Sequence, residues 1–279
     1  MKKRILLPTD FSENAMNAID YSIELFKNEQ CDFYILNTYT IDEFTMELTI
    51  TKNLKELEEQ SKKGLYKILE RVSVTDENIN HNFFIVSRRD NLLTAMKDIV
   101  AKRDIEMVVM GTKGRTDSRN KIYGSNTVLA MEKIRNCPVL AIPHRAIYKE
   151  IKEIAFPTNY RTHFKRREFQ YLADIAKMTD AAIRILHVSD QNQLLDEDQK
   201  NNKKLLEEYF IGLKYSFHIL HNNNVQDGLS IFIQNEDIDM ISFINKKHSF
   251  FESILSKPMV KKLGYHSKIP VLTLHDFRN

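Results

Sequence analysis

The chain has 279 residues, 42% apolar and 28% charged, with 41 Lys and Arg against 38 Asp and Glu. That is enough apolar material for the cores of one or two ordinary domains, and too little net charge for an electrostatic footprint on nucleic acid. Two isolated cysteines, Cys31 and Cys137, exclude a disulfide framework and a C-x-x-C site. The apolar run after Met1-Lys2-Lys3-Arg4 stops at Pro8, short of a secretory signal, and no stretch approaches the ~20 apolar residues of a membrane span. The expectation is a cytoplasmic, reduced protein with neither nucleic acid nor membrane as partner.

In chain order, near-continuous apolar runs predict strands at 3–8, 32–38, 81–87, 105–110 and 138–143, as for strands covered on both faces. Between them, residues 12–27 place Ala15, Ile19, Ile23 and Phe26 at helical spacing behind Ser12, a candidate N-cap. Residues 52–72 carry Leu54, Leu57, Leu65, Ile68 and Leu69 on one stripe, and 91–102 and 125–135 supply two further helices. From residue 151 the alternation returns in shorter form, with strands expected near 152–157, 182–188, 215–220, 238–243 and 270–274. Strands alternating with helices in this way imply a parallel sheet with helices on both faces.

The second series repeats the first. RILLPTD at 4–10 answers EIAFPTN at 153–159, FYILNTY at 33–39 answers IRILHVS at 183–189, DIEMVVM at 104–110 answers DIDMISF at 237–243, and CPVLAIP at 137–143 answers IPVLTLH at 269–275. Four matches in one order indicate a duplication, joined by a short polar connection from His144 to Glu150. Two domains are expected, at 1–147 and 148–279.

Of only seven glycines, three fall within fourteen residues: Gly111, Gly114 and Gly124. They follow the predicted strand 105–110 and end where a helix should begin. Glycines there let a backbone come close to a ligand and take positive φ. Gly124, Ser125, Asn126 and Thr127 offer amides and hydroxyls at a helix start, where an anion is favoured. Lys113, Arg115, Arg119 and Lys121 populate the same stretch. An ordinary surface loop with turn glycines and a solvated basic run is the alternative. The segment is neither a Walker A loop nor a G-x-G-x-x-G fingerprint.

The spacing G-x₂-G-x₉-G-[ST], met by Gly111, Gly114, Gly124 and Ser125, resembles the signature of the ATP-binding subgroup of the universal stress protein (UspA) family. Pro8-Thr9-Asp10-Phe11-Ser12 resembles that family's opening, and Cys137-Pro138-Val139-Leu140 its last strand. The resemblance covers residues 1–143 and, more faintly, 151–275. It implies two tandem Rossmann-like domains, each a five-stranded parallel sheet of order 3-2-1-4-5. It also implies a ligand crevice at the carboxyl ends of strands 1 and 4, where the strand order reverses. The implied ligand is ATP or another adenine nucleotide, with or without Mg²⁺. Pro8 and Thr9 would shape one wall, Asp10 would accept hydrogen bonds from the ribose or adenine side, and the Thr38 backbone would meet the base. Met110 would line base and sugar, Gly111, Lys113 and Gly114 would pass close to sugar and phosphates, and Gly124, Ser125, Asn126 and Thr127 would hold the phosphates. Family members pair through their last strands, which implies an intrachain pseudo-dimer and allows a homodimer.

The repeat aligns Gly111 with Ile244, Gly114 with Lys247, Gly124-Ser125 with Ser256-Lys257, and Asp10 with Asn159. A β-branched Ile244 cannot easily take positive φ and would fill space a phosphate needs. Lys246, Lys247 and Lys257 leave charge without a glycine cradle, so the second copy is expected to have lost the site and to act as a structural or regulatory partner, the alternative being a degenerate site for a different ligand. The nine histidines form no metal or catalytic constellation; His218 and His221 read as a strand end and a polar turn. No H-E-x-x-H or G-x-S-x-G occurs. The function expected is a nucleotide-responsive stress regulator that is not an enzyme. Alternatives are a pure interaction module and a weak ATP hydrolase, although the Ser-Gly-Gly loop of the related hydrolases is replaced by Pro8-Thr9-Asp10.

Overall fold

The structure, a computed structural model, describes residues 2–40, 47–112, 124–144, 146–189, 194–222, 225–245 and 269–275. These fall into two compact units, one reaching to His144 and the other taking up the chain beyond it.

The first unit runs β1 (Lys3–Pro8), α1 (Glu13–Leu25), β2 (Cys31–Tyr39), α2 (Glu47–Thr75), β3 (His81–Arg89), α3 (Leu92–Lys102), β4 (Met107–Gly111), α4 (Ser125–Lys133) and β5 (Val139–Ile142). Every pairing within it is parallel, in the order β3-β2-β1-β4-β5. The order expected from the resemblance is therefore the order found. The central strands are apolar throughout because both faces are covered: Ile5, Leu6, Leu7, Ile35, Leu36, Val108 and Leu140 are at most 1% exposed. Each such side chain contributes about 1.5–3 kcal/mol by leaving water. Ser12 caps α1 as predicted, its Oγ accepting from the Ala15 amide at 3.2 Å. On α2 the buried stripe is Ser61, Leu65, Ile68 and Val72, spacings of four, three and four that keep one face on the sheet.

The second unit runs β6 (Glu153–Pro157), a short 3₁₀ turn (Arg166–Phe169) leading into α5 (Gln170–Thr179), β7 (Ala182–Ser189), α6 (Glu197–Tyr209), β8 (Lys214–His221), α7 (Val225–Asn235), β9 (Met240–Asn245) and β10 (Val271–His275). Its parallel order, β8-β7-β6-β9-β10, is the same winding. The core here is aromatic: Phe156, Phe164, Phe169 and Phe210 meet edge-on at centroid distances of 5.2–6.0 Å.

The repeated sequence motifs turn out to be structural. Asp104 and Asp237 end their helical segments in the left-handed region, at φ 44° and 45°. Asp is one of the few non-glycine residues to visit that region. Two residues on, the Glu106 carboxylate accepts from the Arg4 amide at 3.0 Å, and the Asp239 carboxylate accepts from the Lys152 and Glu153 amides at 2.8 and 3.0 Å. In both units an acidic side chain thus satisfies the first amides of the central strand. Register confirms the alignment, since Ile5 pairs with Met107 and Ile154 with Met240. Among the described residues no helix is long and apolar enough to cross a membrane.

Candidate functional site

In the first unit the chain leaves β1 toward β2 and β3, then returns on the other side of β1 to form β4 and β5. The carboxyl ends of β1 and β4 consequently flank the crevice at the reversal. Pro8 ends β1 with Thr9 and Asp10 directly after it, Thr38 lies near the end of β2, Met110 and Gly111 end β4, and Gly124 caps the start of α4, which opens with Ser125, Asn126 and Thr127. All ten therefore gather at one edge of one sheet. Lys113, Gly114, Arg115, Arg119 and Lys121 lie outside the described residues.

Hydrogen bonds from backbone and side chains hold the turn after β1. The Thr9 amide donates to the Leu36 carbonyl at 2.8 Å, and Asn37 Nδ2 donates to the Thr9 carbonyl at 2.8 Å. The Phe11 amide donates to Thr9 Oγ1 and the Ser12 amide to Asp10 Oδ1, each at 3.0 Å. Two successive side-chain turns of this kind bend the chain sharply, and Phe11 sits between them at φ 63°. A left-handed Phe costs about 1–2 kcal/mol, which these bonds offset. Asp10 is half-buried, so its carboxylate shapes its own loop while remaining within reach of the crevice.

Gly111 and Gly124 are placed for a different reason from the one the sequence suggests. Neither takes positive φ; among the described glycines only Gly212 does. Gly111 is bare because α1 presses on it: a Cβ there would lie 2.7 Å from Asn14 Nδ2 and 2.8 Å from the Asn14 carbonyl oxygen. Gly124 is the N-cap of α4 at φ −69°, ψ 158°, and no side chain caps the helix. Its amide donates to the Thr112 carbonyl at 2.5 Å, and Thr127 Oγ1 donates to the Gly111 carbonyl at 2.8 Å. These two bonds tie the start of α4 to the end of β4. Ser125 and Asn126 are exposed on the first turn. Their side chains and the uncapped amides point to an anion site, worth about 0.3–1 kcal/mol from the helix dipole alone.

The corresponding edge of the second unit keeps the turn and changes its lining. The Tyr160 amide donates to Thr158 Oγ1 at 3.1 Å, the Arg161 amide donates to Asn159 Oδ1 at 3.0 Å, and Tyr160 has φ 56°. His187 replaces Asn37 as partner of the β6-end carbonyl, its Nδ1 lying 3.0 Å from Thr158 O. Burial of that ring lowers its pKa, opposed by the Thr158 hydrogen bond. Ile244 stands in β9 at the register position of Gly111, 6% exposed. Gln199 Nε2 and Asn202 Nδ2 of α6 donate to the carbonyls of Asn159 and Tyr160 at 2.8 and 2.7 Å, tying the turn to that helix. Lys246, Lys247, Ser256 and Lys257 lie outside the described residues.

Sequence reading missed Asn14, Asn37 and Gly64. Asn37 had a signal, a polar residue ending the apolar run FYIL; Asn14 and Gly64 matter only through contacts distant in sequence. Cys31 and Cys137 are buried free thiols whose burial pushes their pKa up to about 12, which fits packing rather than chemistry. The His218 ring is 2.7 Å from Ser216 Oγ and packs edge-on against Phe232.

A sequence model of the universal stress protein family matches residues 1–143. A universal stress protein of Methanocaldococcus jannaschii is 28% identical over 160 residues, covering 52% of this chain and 97% of that protein. Among solved structures, a universal stress protein of Archaeoglobus fulgidus superposes with a TM-score of 0.69 at 17% identity, covering 97% of both chains. A protein of unknown function from Pseudomonas aeruginosa superposes at 0.56 and 11% identity, covering 98% of this chain and 92% of that one.

Proposed function

The chain belongs to the universal stress protein family, and on that premise we propose that it is a nucleotide-responsive regulator whose first half binds one adenine nucleotide, ATP foremost. The observation that carries this reading is the uncapped start of α4, fastened by Thr127 and Gly124 beside the end of β4. Phosphate oxygens would take the amides of the first turn with the Ser125 hydroxyl, while the sugar and base lie toward Asp10, Met110 and Thr38. Gly111 lets Asn14 of α1 pack against the strand end between these two parts. Asp10 supplies a charged acceptor, and hydrogen bonds to ionised groups are about twice as strong as neutral ones.

In this reading the second half carries no nucleotide: Ile244 occupies the position of Gly111, and Asn159 replaces the charged Asp10. Binding rather than turnover is the role assigned to the first half. Calorimetric titration with ATP, ADP and AMP tests it by counting sites per chain, with one expected; none, or two, contradicts it. Phosphate release from ATP with Mg²⁺ is expected to stay near the uncatalysed rate.

A further inference from the structure

We propose that Phe11 and Gly64 form a positioning contact for the nucleotide site, the ring of Phe11 resting on the bare backbone of α2 and thereby setting where Asp10 stands, an inference resting on the reading of that site given above. A Cβ built at Gly64 would lie 2.5, 2.6 and 2.9 Å from Cζ, Cε1 and Cε2 of Phe11. No other residue type gives the ring that place. Gly64 is mid-helix, where Ala would be intrinsically preferred by about 1 kcal/mol, so the glycine works against helix formation and the ring contact accounts for it.

The helix is poorly placed to yield. Ser61 Oγ lies 2.7 Å from Ser87 Oγ on β3, and Leu65, Ile68 and Val72 are buried against the sheet. A side chain at position 64 therefore displaces the ring. Phe11 is left-handed and lies between the two residues joined by the Ser12 amide to Asp10 Oδ1 hydrogen bond, while its own amide is bound by Thr9 Oγ1. Movement of the ring thus reaches the Asp10 carboxylate and the Thr9 wall through two short turns. The second unit does without this contact: Tyr160 packs on His187 and Phe217, at centroid distances of 4.9 and 6.4 Å, and α6 holds the turn by hydrogen bonds.

The test is ATP affinity by calorimetry for the full chain, Gly64→Ala, Phe11→Leu and the double variant, with thermal melting recorded without nucleotide. Gly64→Ala is expected to weaken ATP about tenfold, equivalent to about 1.4 kcal/mol, without lowering the melting temperature. The double variant is expected to regain most of the loss, because Leu lacks the ring atoms nearest Gly64. A purely structural role would move the melting temperature and leave affinity alone. Unchanged affinity in Gly64→Ala, or a double variant no tighter than Gly64→Ala, overturns the proposal while the nucleotide site stands. Absence of ATP binding in the unmodified chain overturns both together. Should Gly64→Ala fail to fold, Phe11→Leu alone decides: a severalfold loss supports the contact, and unchanged affinity overturns it.

Discussion

The two halves of the chain share the same winding, the same left-handed aspartate before the fourth strand, and the same pair of side-chain turns after the first. They part company at the carboxyl ends of the strands. The first half has Gly111 with Asn14 packed on it and a carboxylate at position 10; the second has Ile244, Asn159, and a turn bound by Gln199 and Asn202. One sequence thus holds an internal control. Features kept in both copies serve the fold, and features of the first copy alone are candidates for ligand binding.

Transplanting residues between the halves is the direct way to break the comparison. The largest effect is expected from Gly111→Ile, which brings the second half's residue into the first. Its Cβ would collide with Asn14, costing about 1–3 kcal/mol by overpacking and abolishing measurable ATP binding; thermal melting and calorimetry read the two effects. Asp10→Asn should be milder. Asn159 shows that an amide oxygen serves the turn as well, accepting from the Arg161 amide at 3.0 Å. Stability should therefore hold while ATP affinity falls about fivefold, near 1 kcal/mol, the difference between a charged and a neutral acceptor. A large drop in melting temperature would show instead that the charge supports the fold.

The smallest effect concerns His187. Its burial lowers the pKa below the ordinary 6.5, so near that pH the folded chain holds fewer protons than the unfolded one. The stability this group contributes is present above about 6.5 and is lost as the pH falls through 6.5 toward the depressed folded value. His187→Asn, the first half's residue, should flatten that part of the pH–stability curve. An unaltered acid slope in chemical denaturation would sharpen the contrast by assigning the sensitivity elsewhere.

Strand positions were legible because strands covered on both faces are apolar along their length, and the errors fall at their ends for identifiable reasons. The run from Ile105 reads as strand at once, yet the Ile105 amide turns back to the Val100 carbonyl and Glu106 serves as a side-chain cap, so β4 begins at Met107. The candidate site was legible through the scarcity of glycine, which drew attention to positions 111, 114 and 124. The reason for Gly111 was not, since it depends on a helix folding back onto the strand end. The left-handed Phe11 carries no signal in its own residue type; the signal lies in the Thr9 and Asp10 before it. Its conformation follows from the Thr9 and Asp10 side chains, each accepting from the amide two residues on, and the same turn recurs at Tyr160 behind Thr158 and Asn159.

The carboxylates of Glu106 and Asp239 seize the opening amides of β1 and β6 at the sheet's far margin from the crevice. Anchorage and the candidate site therefore occupy opposite termini of β1. A repeated copy fastened at its base has latitude to vary its rim without unravelling, and this chain carries two different rims on the same base.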